Sequence, residues 1–519
     1  MRNAALVLFL ASTVSAQTVE VMPVTPSARL VRSLASGEIY NTYAPNGFAL
    51  LWTRDARPTP QALAVIALLQ HADEKGLAPA DYWQPRPIAL GSDADLARFD
   101  VAITTGLLRY LSDVHVGRID PRRTGVDLDV DAKRLYLPPL VQRMASANDP
   151  VPIASSVEPQ HDDYRRLLVA LAQYRRMSDG APLPVVAKLQ PGDAYDALPQ
   201  LAETLRRYGD LAGDAPVGAR YEGALVDAVK HFQSRHGLDA DGIISARTFA
   251  ALNVPPSARV AQIEASLERW RWMPDASDAP AVIVNIPEFG LRTSDDALTM
   301  RVIVGKAAGH RTPLLGGAIE HVVFRPTWSV PANIQRNEIV PKVTRDREWL
   351  SRNGFELVSD SGSARAAAID DATIEQLRAR TLRVRQRPGA SNALGLVKFV
   401  FPNEHDVYLH STPSPSLFAR TRRDFSHGCI RVEDPVALAA WSLREQPQWT
   451  PEKIRAAIAG QRDDLYVRLP QAIPVLLLYA TAVAEKDGSV HFYEDIYGHD
   501  NALARASERV RAVGLVAER

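Results

Sequence analysis

Cys429 is the only cysteine in the 519 residues, and two histidines, His410 and His427, stand close to it in sequence. A lone thiol beside imidazoles is a candidate activated nucleophile, because the thiolate attacks and an imidazole can take and return its proton. His410 lies nineteen residues before the cysteine and His427 two before it. Gly428, between the second imidazole and the thiol, permits a tight backbone that presents sulfur and aims nearby amides at a tetrahedral oxyanion. That pattern describes acyl transfer. A shared metal fits poorly: His405 and His410 are five apart and fall on opposite faces of a strand, and no HExxH or multi-cysteine pattern exists. The competing reading is an inert buried thiol.

The elements around this stretch follow from alternation. Val407 and Leu409 are apolar while Tyr408 and His410 share the other face, so a strand with its apolar pair inward sends His410 away from the core, toward a cleft. The run 426–429 ends an Arg-rich loop (Arg420, Arg422, Arg423) and precedes a short apolar run at 430–432. From residue 280 onward the texture is strand-like, with β-rich runs at 281–286, 298–304, 319–325, 397–401 and 407–410 bounded by Gly, Pro and Asp. The segments 475–484 and 489–493 read as a hairpin around Asp487-Gly488. Asp434 with Pro435, and Thr450 with Pro451, open two helices. A long insertion, about 334–389, reads as a lid or as a plain excursion.

The N-terminal half is helical in period. Residues 60–74, 93–113 and 162–177 carry apolar positions at helical spacing, and the region 17–191 reads as a scaffold. Residues 192–254 read as three short helices, the second with Leu225, Ala228, Val229 and Phe232 on one stripe, the third capped by Ser245. The string Ala228-Val-Lys-His-Phe-Gln233, with His236-Gly-Leu238, Asp241-Gly-Ile243 and Thr248-Phe249, resembles the small peptidoglycan-binding module. A helix or linker at 255–279 carries Trp270 and Trp272, read as domain packing ahead of a sugar platform. The catalytic region is bounded as 280–502, with a C-terminal tail at 503–519.

Bulk numbers narrow the class. Hydrophobic residues make up 46% and charged residues 23%, and sixty basic residues balance sixty acidic ones. The chain is thus expected to be globular and multidomain, with no global attraction to nucleic acid. Residues 1–16 have a positive start, an apolar run too short to span a bilayer and a small-residue cleavage site; they are expected to be a secretion signal. The mature chain is expected to be exported, without a transmembrane segment, and Cys429 to have no disulfide partner within it.

His410-Ser-Thr412 followed by Ser426-His-Gly-Cys-Ile-Arg431 resembles the signature of the L,D-transpeptidases (YkuD-type catalytic domain). Arg325-Pro-Thr-Trp328-Ser-Val-Pro331 and Arg387-Pro-Gly-Ala-Ser-Asn-Ala-Leu-Gly395 are similar to the larger periplasmic YcbB-like branch, whose order of parts is the same. The resemblance implies a multidomain α+β chain: helical scaffold, three-helix peptidoglycan-binding-like module, and mainly-β catalytic domain with a capping insertion. It implies a periplasmic, carbapenem-sensitive enzyme of cell-wall and cell-shape maintenance. Cys429 would open a tetrapeptide stem at its third residue, release D-alanine and pass the acyl group to a second stem, giving a 3→3 cross-link. No cofactor or metal is implied; the partners are the donor and acceptor stems. His410 would be the base, oriented by a backbone carbonyl just after it. Ser426, His427 and Gly428 would line the site, with the 427–429 backbone as oxyanion donors. Arg431 is read as holding loop geometry ahead of a substrate carboxylate, Ser411 and Thr412 as supporting residues, and Tyr408, Trp328 and Asn392 as cleft residues.

Ser411 departs from the family pattern, which often has glycine there, and leaves the third member of the network open. The alternatives are an L,D-carboxypeptidase, a papain-like amidase and a catalytically silent wall-binding protein. In the papain fold the cysteine precedes its histidine and opens a helix, the reverse of the order here. The intact Cys–His pair speaks against a silent protein.

Overall fold

The computed structural model describes residues 25–84, 90–275, 279–359, 363–365 and 369–517. The expected secretion signal at 1–16 lies outside the described residues. The chain divides into two compact units, one of Met1–Gln70, Ala80–Arg109 and Tyr136–Ala154, the other of His71–Pro79, Tyr110–Leu135 and Ser155–Arg519. The helical region read as one scaffold is therefore shared between them. In the first unit the buried carboxylate of Asp100 accepts from Leu51 N, Trp52 N and the Tyr43 hydroxyl, at 2.8, 2.9 and 2.8 Å. These bonds offset the cost of burying that charge.

In the second unit the helices Asp162–Arg175 and Pro256–Trp272 pack on each other and on the core of the C-terminal β-rich region. Trp270 and Trp272 are each 2% exposed, so they pack and offer no open sugar platform. The three helices of the small module are Leu198–Arg207, Ala224–Arg235 and Ala246–Leu252, around their own core of Leu201, Leu205, Val229, Phe232 and Phe249. Ser245 caps the last by accepting from Thr248 N, as its position predicts.

Among the described residues nine strands build the main sheet: β1 Val282–Asn285, β2 Gly290–Thr293, β3 Thr299–Gly305, β4 Leu315–Phe324, β5 Val397–Val400, β6 Leu409–His410, β7 Asp424–Ser426, β8 Ile430–Val432 and β9 Leu465–Leu478. Their order is β7-β3-β8-β6-β5-β4-β9-β1-β2, and β2 also pairs with β3. Eight of these strands thus close on themselves, each held from both sides, while β7 lies at an edge and pairs with β3 alone. Only β6–β8, β7–β3 and β9–β1 run parallel. Parallel neighbours need a crossover. The segment 411–429 is that crossover between β6 and β8, so its two ends return side by side.

The insertion is a subdomain with its own antiparallel sheet and a core of Val343, Leu350, Leu357, Leu377 and Val384. Its sheet takes in Trp328–Ser329, ahead of residue 334. The hairpin around Gly488 is present but shorter than its sequence pattern, Ala482–Ala484 with Val490–Phe492, because 475–478 belongs to β9. The segment from 503 onward, read as a tail, is helical through Ala517 and continues the helix His499–Ala517. The Asp495 carboxylate accepts from His499 N and Asp500 N at the start of that helix, and Leu503 and Ala506 are buried. Among the described residues no helix is long and apolar enough to cross a membrane.

Candidate active site

The β6–β8 pairing does the positioning. Leu409 stands opposite Ile430 and His410 opposite Arg431, while Ile430 N donates to Tyr408 O at 3.1 Å. Leu409 and Ile430 are both fully buried on the core side, so the alternate residues Tyr408, His410, Cys429 and Arg431 share the other face. This is the face that sequence alternation assigned to His410. It is not open there, however: His410 is 4% exposed, whereas Cys429 as a residue is half-buried.

His410 Nδ1 donates to the Ser411 carbonyl oxygen at 2.6 Å. That bond leaves Nε2 unprotonated in the neutral ring and fixes the tautomer. Burial, with Arg431 adding to it, pushes the imidazole down to about 3. Burial also pushes the Cys429 thiol up, against the opposing influence of Tyr408, Lys398 and Arg431. Both shifts favour the neutral forms. At rest the thiol donates to the Asp406 carbonyl at 3.7 Å. The Tyr408 side chain lies within electrostatic reach of the Cys429 thiol and near the Trp328 side chain, and its ring stands 5.7 Å from that of His410. Trp328, Tyr408, His410 and Cys429 are therefore brought together.

The Ser411 side chain points elsewhere. Its Oγ accepts from Leu396 N at 2.6 Å and Val397 N at 3.1 Å and donates to Leu394 O at 3.1 Å. The hydroxyl ties the chain before β5 to the end of β6. The carbonyl alone meets His410.

The thiol loop is closed by Ser426, whose Oγ accepts from Gly428 N at 3.2 Å and donates to Cys429 O at 2.6 Å. Gly428 has φ 117°, a region costly for residues with a side chain. Because its N–H is engaged by Ser426, the expected oxyanion set narrows. The Cys429 N–H, which has no partner among the described residues, is the donor that remains beside sulfur. Two residues that motif reading omitted hold this loop from behind. Thr312 donates to Gly428 O at 2.7 Å, and the Tyr497 hydroxyl donates to Gly305 O at 2.6 Å while accepting from Thr312 N.

Two sequence expectations change. Asn392 is no cleft residue: it is 0% exposed, its amide donating to the carbonyls of Pro326, Gln386 and Arg387 and accepting from Leu394 N. Arg431 does not hold the loop, since its buried Nε has no hydrogen-bond partner among the described residues. His427, expected in the loop that lines the site, has its Nε2 taken by Glu338 of the insertion at 2.5 Å, and its ring lies 4.5 Å from that of His310. Thr412 accepts from Ser414 N and shapes the turn after β6. Lys398, absent from the sequence reading, stands opposite His410 in β5, with Nζ 3.8 Å from the Tyr408 ring centroid. Its signal was a lysine amid Val397, Phe399 and Val400, which alternation alone reads as a solvent-facing position. Among the described residues no His, Cys, Asp and Glu cluster of metal-binding size occurs.

A closed β-sheet thus presents a thiol and an imidazole on one face, beside a subdomain inserted into the sheet. Residues 279–454 match the family described as the L,D-transpeptidase catalytic domain, and the chain carries such a domain. Residues 195–252 match a family described as "Putative peptidoglycan binding domain", and 37–171 one described as a scaffold domain. The chain is similar to a Haemophilus influenzae protein named "Putative L,D-transpeptidase", 33% identical over 240 residues, covering 46% of this chain and 47% of that one. The match thus spans about half the length of that relative. Crystal structures of L,D-transpeptidases from Stackebrandtia nassauensis and Xylanimonas cellulosilytica align at 14% and 16% identity. Each alignment covers 57% of this chain and 97% or 98% of the other, with TM-scores of 0.21 and 0.18. Those superpositions are too loose to relate individual residues.

Proposed function

We propose that this protein is an exported, periplasmic L,D-transpeptidase that forms 3→3 peptidoglycan cross-links through a Cys429 acyl-enzyme. The observation that carries the reading is the shared face of Cys429 and His410, with His410 Nδ1 bonded to Ser411 O so that Nε2 is free to accept a proton. The Cys429 sulfur attacks the carbonyl carbon of the third residue of a tetrapeptide stem, and the thiol proton passes to His410 Nε2. The developing oxyanion is met by the Cys429 N–H. The amide C–N bond breaks, His410 returns the proton to the departing D-alanine amine, and a thioester remains. The neutral side-chain amine of a second stem then attacks the thioester. It loses its proton to His410, which reprotonates sulfur. The net reaction exchanges one amide for another and needs no cofactor.

The small module and the family matches support a peptidoglycan substrate. The test is muropeptide analysis after incubation with tetrapeptide-rich peptidoglycan. 3→3 dimers with released D-alanine, lost in Cys429→Ala, are expected. Free tripeptide alone would make the protein an L,D-carboxypeptidase. A carbapenem is expected to add once to the wild type and not to Cys429→Ala; an unmodified wild-type mass would oppose the reading.

A further inference from the structure

Two cations flank the imidazole, neither of them in an ion pair among the described residues. Lys398 and Arg431 both stand opposite His410, one in β5 and the other in β8, so the three side chains form one row across the sheet. Tyr408 and Cys429 lie one step back on the same face. Among the described residues neither Lys398 nor Arg431 makes an ion pair, and the buried Arg431 Nε makes no hydrogen bond. The Lys398 ammonium rests on the Tyr408 ring instead. Asp406 and Asp464 act on it only from a distance, and Asp464 is already bound by Thr327 N and Oγ1. Cations drawn out of water without an opposing charge are costly, and a single cation–π contact offsets only part of that. A site of this kind is completed by an anion that arrives with the substrate.

We infer that Lys398 and Arg431 form an anion subsite beside Cys429 that takes a free carboxylate of the substrate. Given the function proposed above, on which the naming of the substrate rests, the carboxylate is the terminal one of the departing D-residue. It sits two bonds from the nitrogen of the bond that breaks, so whatever holds it must lie close to the thiol. Lys398 meets that condition by its placement: it stands opposite His410 in β5, and its Nζ lies 3.8 Å from the Tyr408 ring centroid on the face that carries Cys429. The subsite selects stems with a free C-terminus over extended or amidated ones.

The same cations also favour the thiolate, and the test separates the two roles. Cys429 in the full chain is alkylated with iodoacetate, an anion, and with iodoacetamide, its neutral counterpart, at one pH. Both reagents need the same thiolate, so the ratio of their rate constants reads attraction of the anion alone. Lys398→Met is expected to lower the iodoacetate-to-iodoacetamide ratio about tenfold. Arg431→Met should lower it in the same direction, and Lys398→Arg should keep it. Raising salt should lower the wild-type ratio, a readout that needs no variant. A wild-type ratio insensitive to salt, or a Lys398→Met ratio unchanged while both rates fall together, overturns the subsite. With peptidoglycan stems, Lys398→Met should raise KM for the free-carboxylate donor and leave that of the C-terminally amidated donor unchanged. Equal effects on the two donors also overturn it. If no stem is cleaved yet the alkylation ratio still falls in Lys398→Met, the anion subsite stands and the proposed function fails.

Discussion

Glu338 and His427 meet through a 2.5 Å contact between carboxylate and imidazole Nε2, joining the capping subdomain to the loop that carries the thiol. Both side chains are partly exposed, which limits how much the pair contributes. Its location matters more than its strength, because it ties the segment around Gln335–Ile339 to the residue two positions before Cys429. In Glu338→Ala, amide hydrogen exchange in 335–343 is expected to rise about two- to fivefold. The core strands β4 and β9 should keep wild-type protection. Unchanged exchange in 335–343 would show that the contact does not hold the cap.

Ser411 serves the fold with its side chain and His410 with its backbone. Ser411→Ala strips the partner from Leu396 N and from Val397 N, which is expected to destabilise the protein by about 1–3 kcal/mol. The carbonyl facing His410 is retained, so kcat is expected to fall by less than about tenfold. Thermal unfolding and steady-state kinetics on the same variant check the two halves. A kcat loss as large as that of His410→Asn would mean that the hydroxyl belongs to the reacting network.

Much of this arrangement was legible because it is local. Apolar Val407 and Leu409 against Tyr408 and His410 defined the strand faces, and Asp434, Thr450 and Ser245 announced their helices by caps whose hydrogen bonds the structure shows. What stayed hidden depends on pairing between distant strands. Lys398 reaches the site only because β5 pairs with β6, and a lysine in an alternating strand looks like an ordinary solvent-facing residue. Asn392 lay in a matching motif, but its four hydrogen bonds to the backbone are visible only in three dimensions. Thr312 and Tyr497 support Gly428 from positions far away in the chain.

The thiol and imidazole rest as a neutral pair, since burial raises the one and lowers the other. A thiolate–imidazolium pair would give fast alkylation at mildly acid pH. Here the iodoacetamide rate is expected to rise as a single step with its midpoint above the ordinary thiol value of about 8.5. Stopped-time alkylation followed by intact mass, from pH 5 to 10, provides the profile. A plateau of reactivity below pH 6 would contradict the neutral pair.

Three buried histidines make the fold acid-sensitive. His410 is pushed down to about 3, His499 to about 4, and His236 falls well below its usual value, each chiefly through burial. At His410 and His499 the unfolded chain binds its protons near pH 6.5 and the folded chain only near pH 3 and 4, and His236 shifts in the same direction, so between those limits the unfolded state holds more protons. Stability is therefore full above pH 6.5 and declines as pH falls toward 3. His410 alone accounts for a few kcal/mol of that decline. Denaturant unfolding at pH 7 and pH 4.5 should show the loss, and His410→Asn should lose less over the same interval than the wild type.

Gly395 tests whether the carbonyl of Ser411 must be held in place. Its φ is 62°, and a Cβ there would lie 2.1 Å from Ser411 Oγ, 2.7 Å from Thr412 N and 2.8 Å from the Ser411 carbonyl carbon. Two of these are backbone atoms, so the clash cannot be relieved by a side-chain rotation. Gly395→Ala must either move the 411–412 peptide or shift the chain before β5. Moving the peptide turns the carbonyl away from His410 Nδ1, after which the ring is free to adopt the other tautomer and present a protonated Nε2 to the thiol. The variant is expected to lose about 2 kcal/mol of stability or more. Its kcat should fall by more than about tenfold, well beyond the loss in Ser411→Ala. The discriminating measurement is the imidazole nitrogen chemical shift of His410, which reports the tautomer directly. A wild-type tautomer with full activity in Gly395→Ala would show that the Ser411 carbonyl is not what orients the base.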